Sequence, residues 1–177
     1  MKKLLIAAAI VCAAAFVQAA TVNWGVSGVK NSSGAAPTAG WAVMAFYTEA
    51  GAGSAAIESA IASKTAGSLA FDTKALTVSF GAGKYGPVDA TAAGITDTSK
   101  KYDFYFVVFN DSDATKATEY AMASASNVEY SSMASKFTAS GVFSASTPWT
   151  STAVPEPTSG LLMLLGMAGL ALRRRRA

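Results

Sequence analysis

Between Tyr102 and Phe109 the chain reads YDFYFVVF, with aromatic or β-branched side chains at nearly every position. Such side chains fit a pleated, half-buried surface, so this stretch predicts a strand and sets the class of the fold. Other segments carry the same signal. Val22, Trp24 and Val26 alternate with Asn23, Gly25 and Ser27, the period of two of a half-buried strand. Residues 40–47, GWAVMAFY, are apolar on both faces and fit a central strand. Leu76, Val78 and Phe80 alternate with Thr77 and Ser79, and residues 118–124, 127–131 and 137–144 read as further strands. Turn residues separate them at Asn31–Gly34, Gly81–Gly86, Asn110–Asp113 and Ser124–Asn127.

One helix interrupts this series. Ser54 can cap it, Glu58 lies in its early turns, Ile57 and Ile61 share a face, and Gly67 can end it. It is short and Ala-rich with a narrow apolar face, which predicts a lid over one end of a sheet and not a second layer. Seven or so short strands with polar turns predict a mainly β body, an antiparallel β-sandwich or jelly-roll-like fold. No fixed-period repeat and no parallel βαβ pattern is visible in the sequence.

The two ends are of another kind. Lys2 and Lys3 precede an unbroken apolar stretch from Leu4 to Val17, and small residues follow at Ala19 and Ala20. This is the pattern of a secretory signal peptide over residues 1–19, cut between Ala19 and Ala20. Cys12 follows Ile10 and Val11, not the small residue a lipidation site wants, and it leaves with the signal. At the other end Pro155-Glu156-Pro157 leads into an apolar stretch over residues 158–172, closed by Arg173, Arg174, Arg175 and Arg176. As a helix that stretch spans roughly 22 Å against a hydrocarbon core of about 30 Å, thin for a permanent anchor. The four arginines favour a cytoplasmic C-terminus, and Gly166 and Gly169 offer a small-residue face to another membrane helix.

This order of a Pro-Glu-Pro motif, a short apolar helix and a terminal arginine cluster resembles the PEP-CTERM sorting signal. The resemblance covers Val154 to Arg176 within a sorting segment of residues 153–177 and implies handling, not activity. Proteins with this signal are exported by Gram-negative bacteria that make exopolysaccharide, and a membrane-embedded protease, exosortase, processes the tail near the motif. The partners so implied are the Sec translocon, signal peptidase, exosortase, the inner membrane for as long as the tail is held in it, and extracellular polysaccharide. Ser151 to Pro155 reads as a small, polar, proline-limited spacer open to that enzyme.

Removing the ends changes the charge. The chain holds fourteen Lys and Arg against eleven Asp and Glu. Six of the positive charges sit in the two targeting segments, and Glu156 leaves with the tail, so the body of residues 20–152 carries eight lysines, ten acids and no arginine. Clustered basic residues for phosphate contacts are missing, which argues against nucleic acid as a partner. With no histidine in the chain and no cysteine in the body, histidine bases, cysteine nucleophiles and Cys/His zinc sites are excluded, and no cofactor is expected.

Three patterns keep a functional reading beside a structural one. Asp103, Glu119 and Glu129 are candidates for the paired carboxylates of a glycan-acting enzyme. Asn110-Asp111-Ser112-Asp113 groups oxygen ligands as calcium loops do, but lacks the distal glutamate and also fits an Asx turn. Trp24, Trp41 and Trp149 fit either a sugar-stacking platform or a core, and Trp149 in particular is expected to close the base of the sandwich. The favoured function is a non-enzymatic structural or adhesive protein of the envelope or matrix. A carbohydrate-binding module is the alternative, and a small glycan-acting enzyme comes third.

Overall fold

Inward-facing Val22, Trp24 and Val26 are all buried, and they make β1 (Ala20–Val29) the middle strand of the first of two sheets. A computed structural model describes residues 19–152. The signal helix and the hydrophobic helix expected at residues 158–172 lie outside the described residues. The remaining strands are β2 (Ala42–Glu49), β3 (Asp72–Ala75), β4 (Thr77–Ser79), β5 (Ala82–Ala92), β6 (Tyr102–Phe109), β7 (Glu119–Val128), β8 (Tyr130–Ser131), β9 (Lys136–Val142) and β10 (Trp149–Ser151). One sheet has the order β4-β5-β1-β9-β8 and the other β10-β7-β6-β2-β3. The pairing is antiparallel with one exception: β1 and β9 run parallel, Val22 beside Phe137 and Ser27 beside Val142.

The two sheets close on an aromatic core. Trp24 stacks on Phe106 at 5.9 Å, and Phe137 meets Tyr102 edge-on at 5.5 Å. Each large ring removes about 150–250 Å² from water, a gross stabilisation of about 4–6 kcal/mol apiece before conformational entropy is subtracted. The Trp24 indole N–H donates to Asp72 Oδ2 at 2.9 Å, so burying the ring strands no donor. At Gly141 of β9 the first sheet's backbone comes close against Phe106 of the second. A Cβ there would stand 2.8 Å from the Cβ of Phe106.

The helix is not a lid on one end. α1 (Ala55–Ala62) lies on the outer face of the second sheet, where Ile57 and Ile61 join Met44, Phe46, Tyr105, Val107 and Phe109 in a separate buried cluster. That added layer explains why β6 is buried at every one of its eight positions. Its even-numbered residues face the first sheet and its odd-numbered apolar residues face the helix. The helix also stops before Gly67. Ser63 caps it, Lys64 turns left-handed at φ 61°, and Gly67 falls within a 3-10 turn at Ala66–Ser68.

Other expectations are corrected in the first sheet. Only Leu76 of the Leu76/Val78/Phe80 set is buried, because the chain changes sheets between β3 and β4. Phe80 sits at the tip of the β4–β5 hairpin, fully exposed. Phe80 and Gly81 are both left-handed, at φ 52° and 72°, the two-residue turn that matches strand twist. The glycines of residues 81–86 do not make one long turn. β5 runs through them and accommodates Gly86 and Pro87 at irregular steps in its register with β1. Residues 124–127 likewise stay within β7, whose register with β6 shifts at its far end, near the left-handed Asn127.

Candidate functional site

The place where the body hands over to the sorting segment is built by β10. This short edge strand pairs antiparallel with β7, Trp149 opposite Ala121 and Ser151 opposite Glu119. Trp149 is half-buried, packs edge-on against Trp41 at 5.6 Å, and donates its indole N–H to the Lys30 carbonyl at 3.0 Å. It closes the base of the sandwich. One residue past the strand, Thr152 is buried: its amide donates to the Thr118 carbonyl at 2.9 Å and its hydroxyl to the Ala117 carbonyl. The Lys64 ammonium reaches the same Ala117 carbonyl at 3.0 Å, aimed there by the left-handed turn that ends α1. The spacer expected from Ser151 is therefore shorter at its start, since Ser151 and Thr152 belong to the folded body. Nothing in the local sequence marks Lys64 or Thr152, whose roles depend on a packed neighbour far along the chain.

Next to this root lies a cleft of about 500 Å³ between the end of α1 and the turn that follows β6. Its floor is Met44, Ile61 and Phe109, and its rim includes Thr73, Ser112 and Asp113. The rim carboxyl of Asp113 is committed locally. Oδ1 accepts from the Thr115 amide and hydroxyl at 3.0 and 2.7 Å, which together hold it below the usual carboxylate range.

Side-chain oxygens of Asn110 and Asp111 are likewise committed to backbone amides. Asn110 Oδ1 accepts from the amides of Thr118 and Glu119, and Asp111 Oδ1 accepts from the Asp113 amide at 2.8 Å. The Asp111 bond is an Asx-type turn bond and the Asn110 bonds tie the end of β6 to the start of β7; both use oxygens a cation would need. Among the described residues no group of three or more His, Cys, Asp or Glu is placed to hold a metal ion.

Asp103 and Glu119 are not brought together as a pair. Asp103 and Glu129 lie at the same end of the β6–β7 pair, where Tyr102 is opposite Val128, and each is committed to its own partner. Asp103, on β6, is buried, with Oδ2 accepting from the Gly51 amide at 2.9 Å and Oδ1 from the Asn127 amide at 2.7 Å. Glu119 adjoins Tyr120, the partner of Phe109 at the opposite end of the same strand. Most of a strand length, roughly 20 Å, separates the two, beyond the spacing of about 5–9.5 Å that glycoside hydrolysis uses. Glu129 is exposed and bonded to Lys101 at 2.6 Å, a contact that lowers its pKa. The three tryptophans form no common platform. Trp24 is core, and Trp41 and Trp149 pack on each other.

At the other junction β1 begins at Ala20, whose amide donates to the Ile95 carbonyl at 3.0 Å. Thus the strand starts at the residue expected to follow the signal cut. The motif residues Pro155, Glu156 and Pro157 and the basic end Arg173 to Arg176 lie outside the described residues. Among the described residues no helix is long and apolar enough to cross a membrane. No curated protein and no solved structure matches the chain. Residues 153–176, beginning one residue after Thr152, match the PEP-CTERM protein-sorting motif, which marks an exported protein sorted by exosortase to the cell envelope or surface.

Proposed function

We propose that the body is a non-enzymatic structural or adhesive component of the cell envelope or extracellular matrix. In this reading the Sec translocon threads the chain across the inner membrane and signal peptidase cuts between Ala19 and Ala20. Residues 158–172 then hold the protein in that membrane, with Arg173 to Arg176 on the cytoplasmic side, until exosortase cuts near Pro155-Glu156-Pro157. The sorting motif at residues 153–176 is the observation that carries the reading. The commitments of the candidate side chains support the passenger role: Asp103 is spent on two backbone amides, Glu129 on Lys101, and the tryptophans on packing. Extracellular polysaccharide is the partner that the sorting signal's setting suggests.

Intact mass of the protein taken from the cell surface tests the delivery. The expected species begins at Ala20 and ends near the motif, whereas surface protein still ending in Arg176-Ala177 refutes release. Cells without the sorting protease should keep the uncut form in the inner membrane. For the passenger, incubation with the producing cell's own exopolysaccharide should liberate no new reducing ends; their appearance overturns the non-enzymatic role.

A further inference from the structure

Phe80 is an odd residue to find where it is. Its side chain is 104 % exposed, and its backbone is left-handed at φ 52°, a conformation costly for a bulky residue. Asn or Gly would hold the same two-residue turn with less strain, so local folding does not call for an aromatic ring here. The hairpin tip is also tied to the root of the tail. The Trp149 indole bonds the Lys30 carbonyl, and the Lys30 ammonium bonds the Gly81 carbonyl beside Phe80. The register places Phe80 at the end of the sandwich where β1 finishes, since Val29 pairs with Gly83. Val142, 73 % exposed, pairs with Ser27 near that same end.

We propose that this end of the sandwich is a membrane-docking surface, with Phe80 inserting at the lipid interface while the tail is held in the bilayer. The reach of the chain fixes the partner. From Thr152 to the start of the apolar stretch at Thr158, a fully extended chain spans at most about 20 Å. The polar layer of the bilayer takes up roughly 5–7 Å of that distance. The body therefore rides against the lipid surface, and an aromatic side chain at its tip gains by partitioning into the interface. Charge adds a screened contribution at the same end. Lys30 and Lys64 keep their positive charge while bonding carbonyls, Lys84 is exposed on β5 four residues from Phe80, and Lys116 faces Asp113 at 3.4 Å. Salt therefore weakens docking in part, and the apolar insertion of Phe80 persists at high salt.

The proposal rests on the transient-anchor reading above and is tested apart from it. The body has no cysteine, so Phe80→Cys and Met133→Cys each carry one polarity-sensitive fluorophore in the chain from Ala20 to Ala177. Met133 is also fully exposed, but it sits in the turn before β9, at the opposite end of the sandwich. The labelled chains are reconstituted through their tails into vesicles of phosphatidylethanolamine and phosphatidylglycerol containing lipid-bound quencher. The expected result is blue-shifted emission and several-fold stronger quenching at position 80 than at 133, a contrast that persists at high salt. Equal quenching at the two positions overturns the proposal. A shift seen only when the sorting protease is added also overturns it and assigns the surface to that enzyme. Failure of the chain to sediment with vesicles counts against the anchor reading itself, and co-sedimentation with an unshifted position 80 counts against docking alone.

Discussion

Asp103 is the residue on which a structural and a catalytic account of the body disagree most sharply. Its carboxyl group ties two irregular pieces of backbone to β6: the turn after β2 through Gly51, and the distorted end of β7 through Asn127. Asp103→Ala removes both acceptors from a site that is only 6 % exposed. A hydrogen bond of this kind contributes about 1–3 kcal/mol, and the freed amides regain water only in part, giving an expected loss of about 2–4 kcal/mol. Asp103→Asn keeps one acceptor oxygen and should lose about half as much. In a domain of this size that corresponds to a fall in Tm of roughly 6–20 °C for the alanine variant. Urea denaturation of residues 20–152, followed by tryptophan emission, measures the change directly, and the slope m should stay constant. Hydrogen exchange should quicken selectively at Gly51 and Asn127. An Asp103→Ala midpoint within about 0.5 kcal/mol of the parent, with both amides still protected, refutes the tie.

Further outcomes follow from other contacts. Gly141→Ala pushes a methyl group into the buried Phe106 ring and should cost about 1–3 kcal/mol in denaturant unfolding, with Phe106→Leu in the same chain recovering part of it. Trp149→Ala gives up the Trp41 contact and the bond to Lys30, so β10 should detach, seen as faster exchange of the Thr152 amide and greater susceptibility to carboxypeptidase. With no histidine to titrate, Tm should be flat from about pH 5.5 to about 6.5, below the titration of the Ala20 α-amine that signal cleavage would free. Asp89, held down by hydrogen bonds from Asn23 and then Lys136, has a folded pKa below its unfolded one, as do Asp97, Asp113 and Glu129. Their contribution is complete above the unfolded value near pH 4 and disappears as pH falls through the folded values, so calorimetry should show Tm declining only in that acid window. A Tm that rises on acidification contradicts these assignments.

The strongest strand was legible because YDFYFVVF suits nothing but a sheet, and β1 and β2 because their apolar spacing has a single reading. β5 was hidden: Gly81, Gly83, Gly86 and Pro87 are turn chemistry locally, and only pairing with β1 shows that the chain passes through them extended. The helix was visible, but its position was not. Ile57 and Ile61 define a narrow stripe, and what that stripe covers depends on Met44, Phe46 and the odd-numbered residues of β6. At the tail, the motif could be read directly because targeting signals are recognised as linear patterns. The root beneath it could not, since Thr152 acquires its role from Ala117 and Lys64, and Trp149 acquires its own from Lys30 and Trp41.

The parallel pairing of β1 with β9 sets the order in which an exported chain can fold. On the proposed route β1 is the first strand to cross, yet one of its two neighbours, β9, lies near the end of the body. Until that distant segment has also crossed, the middle strand of the first sheet stays open on one side, and Trp24 lacks a finished pocket. Contacts between remote parts of a chain form late and slowly. On the proposed Sec route, where the chain crosses as an extended thread, this delay is useful: the topology keeps the body pliable inside the cell and completes it only outside.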